Sequence, residues 1–355
     1  MHTRLALYYR RLATRGARSK ADRLLLAFLV PLGWLYGCIN FVRVKLYRAG
    51  VFSCYKAAVP VVSVGNLAVG GTGKTPMVDY LLKQQLAQQR KVAVISRGYG
   101  GEKGDPVRVV CAGDGPILAA LQCGDEPYLL ARRNPQAIVI VAPQRSAGID
   151  CAIKTFAVDL IVLDDAFQHL AVARDLDLLL FDSRHPLGNG YLLPAGLLRE
   201  FPAAIQRADL CIMTRYNQQS AKPLACAQPI IRARQSLAHS AQDLLGHDYP
   251  VEQLRQSKCV AFAGIANPSD FFTSLEEGGV RLLATLPLAD HCEFTPHVIE
   301  LIKVMAAEAD FILTTEKDAV KLNDEMFNIP CCSFSLTFEP IEADLLEQKI
   351  NFLFA

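Results

Sequence analysis

Along most of the chain, short apolar runs rich in valine, isoleucine and leucine alternate with longer stretches of mixed polarity. The runs fall at residues 59–64, 92–96, 137–141, 160–163, 176–181 and 210–213. Uninterrupted apolar runs of this length read as strands buried on both faces, and intervening stretches such as 77–89 read as helices. Strands alternating with helices predict an α/β fold with a doubly wound, mostly parallel sheet. Composition shifts near 218–222. Beyond it lies a second series: strand 259–263, helix 271–277, strand 280–286, helix 297–309 and strand 311–314. Residues 230–234 and 333–338 read as two crossing linker strands, which leave the last helix free to return to the first domain. The expected organisation is an N-terminal segment (1–50), a larger domain (51–225), a second, smaller α/β domain (226–338) and a C-terminal helix (339–355).

The N-terminal segment breaks this pattern. Residues 24–42 carry no charge, while Arg18, Lys20 and Arg23 precede them and Arg43, Lys45 and Arg48 follow. The length would span a bilayer. However, Pro31 and Gly33 interrupt the middle, Asn40 lies near the end, and positive charge on both sides removes the asymmetry that orients a span. A helical hairpin or helix pair lying in a membrane interface, with its cations on anionic headgroups, fits better than a true span or a buried core helix. Residues 1–56 hold eleven Arg or Lys and one acid, Asp22, so the net charge of +2 hides a segment near +10. No cleavable signal peptide is expected. At 355 residues and 51% hydrophobic content, the chain has ample core for two domains. Its eleven cysteines show no C-x-x-C pair or ligand spacing, and read as reduced thiols of a cytosolic protein.

The first apolar run leads into the candidate chemistry, Ser63-Val-Gly-Asn-Leu-Ala-Val-Gly-Gly-Thr-Gly-Lys-Thr-Pro76. A strand, a glycine loop, then Lys and Thr where a helix begins is what a triphosphate cradle requires. Backbone N–H groups turn toward the phosphates, Lys74 neutralises β/γ charge, Thr75 offers a hydroxyl to Mg²⁺, and the helix N-terminus adds positive potential. The strict phosphate-loop pattern has glycine where Ala68 stands; Gly65, Gly70 and Gly71 are expected to supply the flexibility. Asp125 and Glu126 stand at a predicted helix start, where ordinary capping is an equal reading. The run 160–163 delivers Asp164 and Asp165 to a strand end, as the second Mg²⁺ contact of a phosphate-loop protein requires. His169 reads equally as a structural histidine, and the loop pair Asp290-His291 is by itself more often ordinary than catalytic. Neither Thr214-Arg-Tyr-Asn217 nor Thr315-Glu-Lys-Asp318 matches a guanine-reading motif, so a GTPase is not supported.

Taken together, the motifs resemble the tetraacyldisaccharide 4′-kinase family of lipid A biosynthesis. The resemblance rests on Pro31-Leu-Gly-Trp-Leu-Tyr36, the 63–76 loop, Ser96-Arg-Gly-Tyr-Gly100, Gly124-Asp-Glu-Pro127, Asp164-Asp-x-Phe-Gln-His169, Leu193-Pro-Ala-Gly-x-Leu-Arg-Glu200, Asp290-His291 and Thr315-Glu-Lys-Asp318. It implies a P-loop NTPase-like kinase that uses ATP and Mg²⁺ to phosphorylate a lipid, tetraacyldisaccharide 1-phosphate, at its 4′-hydroxyl. It also implies a monotopic protein on the cytoplasmic surface of a Gram-negative inner membrane. Neither a nucleic-acid partner nor an obligate protein partner is expected. By resemblance, Gly65, Asn66, Gly70, Gly71, Thr72, Gly73, Lys74 and Thr75 would bind nucleotide. Thr75, Asp164, Asp165 and Glu126 would hold the metal. Asp125 would be the general base with His291 as its partner, and Arg145 and Arg199 would meet phosphate. Ala68 fits the family, which lacks glycine there. Departures are Ala166 for Gly, Leu197 and Phe201 where Pro is common, and Cys292 in place of a second His. Two other classes compete: a membrane-attached NTPase switch and a non-catalytic scaffold with a vestigial phosphate loop.

Overall fold

The structure, a computed structural model, describes residues 2–102, 104–290 and 292–354, so His291 lies outside the described residues. The chain opens with helices α1 (His2–Arg15) and α2 (Lys20–Arg48). There follow β1 (Val61–Asn66), α3 (Lys74–Ala87), β2 (Val92–Ser96), β3 (Arg108–Ala112), α4 (Ala120–Cys123), α5 (Asp125–Arg133), β4 (Ile138–Val141), α6 (Arg145–Phe156), β5 (Leu160–Asp164), β6 (Leu176–Asp182) and β7 (Leu210–Thr214). The C-terminal half comprises β8 (Ile230–Asp243), β9 (Asp248–Pro250), α7 (Val251–Gln256), β10 (Cys259–Ala263), α8 (Pro268–Glu277), β11 (Leu282–Pro287), α9 (Pro296–Met305), β12 (Phe311–Thr315), α10 (Glu316–Ala319), β13 (Cys331–Pro340) and α11 (Ala343–Asn351).

The strands form one mixed, mostly parallel sheet in the order β11-β10-β12-β13-β8-β7-β6-β1-β5-β2-β4-β3, with β9 on β8. Every residue of β1, β2, β4 and β5 is buried, as unbroken apolar runs covered by helices on both faces should be. Val62, Val64, Val94 and Val162 pack with Met77, Leu81 and Leu130 of α3 and α5 on one face. Val61, Ile95, Ile161 and Leu163 pack with Ile149 and Ala152 of α6 on the other. Leu346 and Ile350 of α11 join the first of these clusters, so the C-terminal helix packs beside α3. The edge strand β3 pairs antiparallel with β4 and has no counterpart among the apolar runs, being short and flanked by charged and glycine-rich sequence.

The two halves of the sheet are joined by long strands. The start of β8 runs parallel to β7 through Cys211↔Ile230 and Met213↔Arg232, and its remainder pairs antiparallel with β13 from Ala233↔Pro340 to Asp243↔Cys332. The segments 230–234 and 333–338 are thus parts of longer strands that hydrogen-bond to each other.

Helix α2 is continuous through Pro31 and Gly33; the break in the N-terminal segment falls instead between α1 and α2. Ser19 caps α2 and forms a reciprocal capping box with Asp22. The buried Asp22 carboxylate also accepts from Tyr8 Oη (2.6 Å) and Arg11 Nη2 (2.9 Å), which fastens α1 to α2. Gly33 and Gly37 let α2 lie directly on the 192–201 loop. A Cβ at Gly33 would sit 3.1 Å from the Leu192 carbonyl oxygen, and one at Gly37 would sit 2.5 Å from Leu192 Cδ1 and 2.7 Å from the Phe201 ring. The opposite face presents Leu24, Phe28, Leu32, Leu35, Ile39 and Val42 to solvent at three- and four-residue spacing. By length and composition α2 could cross a membrane.

Gly37→Leu should therefore prise α2 from the loop, with a cost of about 1–3 kcal/mol for overpacking. Chemical denaturation in detergent should show a lower midpoint than the wild-type protein, while Gly50→Ala, at a position with open space but positive φ, should cost less.

Candidate active site

The loop after β1 carries the glycines at a strand-to-helix junction. Gly70 (φ +129°) and Gly73 (φ +83°) take backbone conformations that side chains disfavour. A Cβ on Gly73 would also collide with the Gln235 amide of β8. Gly65 serves a different purpose from the flexibility expected of it: it lies in β1, where a Cβ would fall 2.6 Å from Phe167 Cβ. The loop is tied at several points. Asn66 Nδ2 donates to Thr72 Oγ1 (3.0 Å) and to the Gly70 carbonyl (3.3 Å). Thr214 Oγ1 donates to the Thr72 carbonyl (2.9 Å), and Arg215 Nη1 to the Gly71 carbonyl (2.7 Å). Lys74 and Thr75 begin α3 and line a cleft of about 1220 Å³ between the two halves, together with 70–73, Glu126 and Lys317.

Strand β5 ends in the two aspartates. Asp164 is buried; its Oδ2 accepts from Ser96 Oγ (3.3 Å) and its Oδ1 has no hydrogen-bond partner. Burial, then the charges of Glu126 and Asp165, push its carboxyl well above the usual range. Asp165 turns out of the strand in a left-handed conformation (φ +48°), one that aspartate tolerates. Burial works against its charge, but Lys74 and Arg199 hold its carboxyl below the ordinary value. Lys74 Nζ lies 3.5 Å from Asp165 Oδ1, and Arg199 Nη1 lies 3.0 Å from the same oxygen and 3.1 Å from Gln168 Oε1.

Arg145 is placed differently from an open phosphate clamp. It is buried, with Nη1 on the Ala142 carbonyl and Nη2 on the Asp164 carbonyl, each at 2.9 Å. Burial, reinforced by Arg97 and opposed by Asp164, lowers its pKa to about 10. In this arrangement the guanidinium braces the backbone that presents Asp164.

Asp125 and Glu126 open α5 after Gly124, whose positive φ of +94° and close approach to the Tyr99 carbonyl admit only glycine without strain. Both acids meet cations of the C-terminal half. Lys321 Nζ is 2.8 Å from Asp125 Oδ2, and Lys317 Nζ is 2.6 Å from Glu126 Oε1. Burial opposes ionisation of Glu126, but Lys317 and Lys74 hold its pKa below the ordinary value. At the other end of α5, Arg133 pairs with Glu316 of α10 and, at 3.2 Å, with Asp79 of α3. Across the cleft, Arg184 Nη2 pairs with Asp182 (2.9 Å) and with Asp270 of α8 (2.6 Å). The two halves are therefore bridged by ion pairs on both sides of the cleft. Lys317, Lys321 and Arg133 have no assigned role in the sequence-based reading, and the only sign of the first was its place in the 315–318 motif.

Among the described residues no three His, Cys, Asp or Glu side chains form a closed metal cage. Magnesium needs none, because it keeps waters and takes one or two carboxylates plus substrate phosphates. The partnerless Asp164 Oδ1, beside Asp165 and Glu126, is an oxygen donor set of the kind a hard divalent cation takes.

Arg133→Met would strand Glu316 and weaken the hold on Asp79. With 11% of its side chain exposed, its loss should cost roughly 3 kcal/mol, as for a broken buried pair. Urea unfolding of the detergent-solubilised protein measures it, and Lys83→Met on the exposed side of Asp79 should cost less than 1 kcal/mol.

Residues 25–353 match the family model described as tetraacyldisaccharide-1-P 4′-kinase. The chain is 49% identical to the tetraacyldisaccharide 4′-kinase of Syntrophotalea carbinolica, with 98% of each chain covered. It is 39% identical to that of Geobacter sulfurreducens, with 97% of this chain and 98% of the relative covered. Its structure is similar to the crystal structure of the Aquifex aeolicus LpxK in complex with ATP, with a TM-score of 0.79 and 29% identity over 93% of this chain and 100% of that one. A glycine loop facing paired aspartates, read with matches that span the chain from end to end, places this protein in the tetraacyldisaccharide 4′-kinase family.

Proposed function

We infer that the chain transfers the γ-phosphate of ATP to the 4′-hydroxyl of a tetraacyldisaccharide 1-phosphate in lipid A biosynthesis. The observation that carries this reading is the convergence of the 70–75 loop, Lys74, Glu126 and the Asp164-Asp165 pair on one cleft in a member of that family. The half around β1–β7 is read as a P-loop NTPase-like, doubly wound domain, and the half around β10–β13 as a second domain whose approach completes the site.

Phosphoryl transfer asks the protein for positioning and charge neutralisation more than for covalent chemistry. The loop amides and the start of α3 would receive the phosphates, with Lys74 against the β/γ oxygens. Thr75, Asp164, Asp165 and Glu126 would hold Mg²⁺, which when bound supplies charge neutralisation at the phosphate oxygens. Asp125, whose Oδ2 lies 2.8 Å from Lys321 Nζ, would take the proton of the acceptor hydroxyl, with His291 as its partner. Arg199, held by Asp165 and Gln168, would face the transferring phosphate or the substrate's 1-phosphate, and Arg145 would act through Asp164. The apolar stripe of α2, rimmed by the cations of residues 1–56, would seat the protein in the cytoplasmic surface of the inner membrane, where its lipid substrate lies.

Lys74→Ala should lower kcat by roughly 100- to 1000-fold, the scale of a lost electrostatic contact in a transition state. Formation of radiolabelled bisphosphorylated lipid in detergent micelles measures it. A folded wild-type protein that makes no such product would overturn the reading. Replacing Phe28, Leu35 and Ile39, all more than half exposed, with serine should abolish co-flotation with anionic vesicles. Binding that survives would place the anchor elsewhere.

A further inference from the structure

The segment Thr315-Glu316-Lys317-Asp318 plays no part in the chemistry above, yet it is built rigidly. Thr315 ends β12 and caps α10, its Oγ1 accepting from the Asp318 amide. Thr315 Oγ1 also donates to Asp318 Oδ2 (2.7 Å), which accepts from the Gly264 amide as well (2.9 Å). Asp318 is fully buried. This turn fixes where the Lys317 side chain leaves the backbone, and Glu316, paired with Arg133, and Lys321, paired with Asp125, fix α10 against α5.

Lys317 itself lines the cleft with Lys74 and Thr75. Its ammonium lies 2.6 Å from Glu126, and its side chain remains 26% exposed. Lys74 lines the same cleft and its charge also favours the ionised form of Glu126, so cations from both halves of the molecule act on one acid beside the phosphate loop. Joining the halves does not require Lys317, because Arg133–Glu316, Lys321–Asp125 and Arg184–Asp270 already do so. Its distinguishing property is its partner. Glu126 belongs to the acids read above as the metal's ligands. Were that carboxylate to take a divalent cation, the Lys317 ammonium would be left facing a cleft that had gained a polyanion. A cation in a partly desolvated cleft finds its compensation in the nearest anion.

We propose that Lys317 is a catalytic residue that contacts the γ-phosphoryl oxygens, exchanging Glu126 for phosphate as Glu126 exchanges Lys317 for the metal. This rests on the kinase reading above. In the step it serves, the acceptor oxygen–phosphorus bond forms as the bond from γ-phosphorus to the β,γ-bridging oxygen breaks. The acceptor proton goes to Asp125, the β-phosphate leaves with ADP, and Lys317 keeps all its protons throughout. Its function is to offset the charge on the transferring group from the side opposite Lys74.

The test is made on the full-length protein in detergent with Lys317→Met, Lys317→Gln and Lys317→Arg. Calorimetry with Mg²⁺ compares binding of the β,γ-imido analogue of ATP with binding of ADP. For the methionine variant the analogue should bind at least tenfold more weakly while ADP binding stays within twofold of wild type. Its kcat should fall about 100-fold with the KM for lipid within threefold, and arginine should recover part of both losses. Glutamine can still hydrogen-bond to Glu126, so it gives the same comparison if the methionine variant does not fold. Equal weakening of both nucleotides would mean that Lys317 only joins the halves, and no change in either would mean that it leaves the phosphate untouched; each result overturns the proposal. Wild-type turnover and its loss in Lys74→Ala are read in the same assay. Failure of these controls would sink the kinase reading, whereas an unchanged nucleotide preference in the Lys317 variants would sink this inference alone.

Discussion

Like charge crowded into a partly dry cleft is the constraint on which the site depends. Asp125, Glu126, Asp164 and Asp165 come to the same rim of the sheet, and in a medium of low effective dielectric they cannot all stay ionised without compensation. The surroundings answer each differently. Asp165 has Lys74 and Arg199, Glu126 has Lys317, Asp125 has Lys321, and Asp164 is left with a hydroxyl and one partnerless oxygen. The fold's task is to deliver those cations from distant parts of the chain.

It does so through the parallel sheet. Strands β1 and β5 are neighbours in register, Val64 opposite Asp164, so the glycine loop and the aspartates leave the sheet side by side, at the strand ends where ligands of such sheets collect. Strand β12, in the other half of the same sheet, ends in Thr315 and turns at once into α10, which brings Lys317 to the same cleft. The first half supplies the loop and the acids, while the second supplies the lysines that neutralise two of them.

Much of this was legible in the sequence, for physical reasons that also mark the limits. Buried parallel strands must be apolar along their whole length, so β1, β2, β4, β5, β6, β7, β10 and β12 stand out as runs. Strand β8 does not, because from Gln235 to Asp243 it is half exposed and largely polar, and neither does the short edge strand β3. Helix α2 was harder to read, since Pro31 and two glycines look like breaks until Gly33 and Gly37 are seen pressed against Leu192 and Phe201. At the site, Lys74, Thr75 and the aspartates announce themselves through local order along the chain. Lys317 and Lys321 do not, because their partners lie nearly 200 residues earlier and only the tertiary fold brings them together. Arg145 has the opposite problem: an arginine shortly after a strand looks like a phosphate ligand, and only burial shows it gripping carbonyls.

The glycine face of α2 has a further consequence. Asn40 Nδ2 donates to the Arg199 carbonyl at 3.3 Å, and Arg43 Nη2 to the Gln168 carbonyl at 3.2 Å. These are the backbones of the two residues whose side chains converge near Asp165. The helix that would rest on lipid is thus pinned directly to the floor of the reaction centre, with no flexible linker between them. Its apolar stripe would then work as a height gauge, the depth at which α2 settled setting how far above the acyl chains the phosphate was handed over. A lipid acceptor would be met at the level of its sugar headgroup, with its acyl chains still in the bilayer.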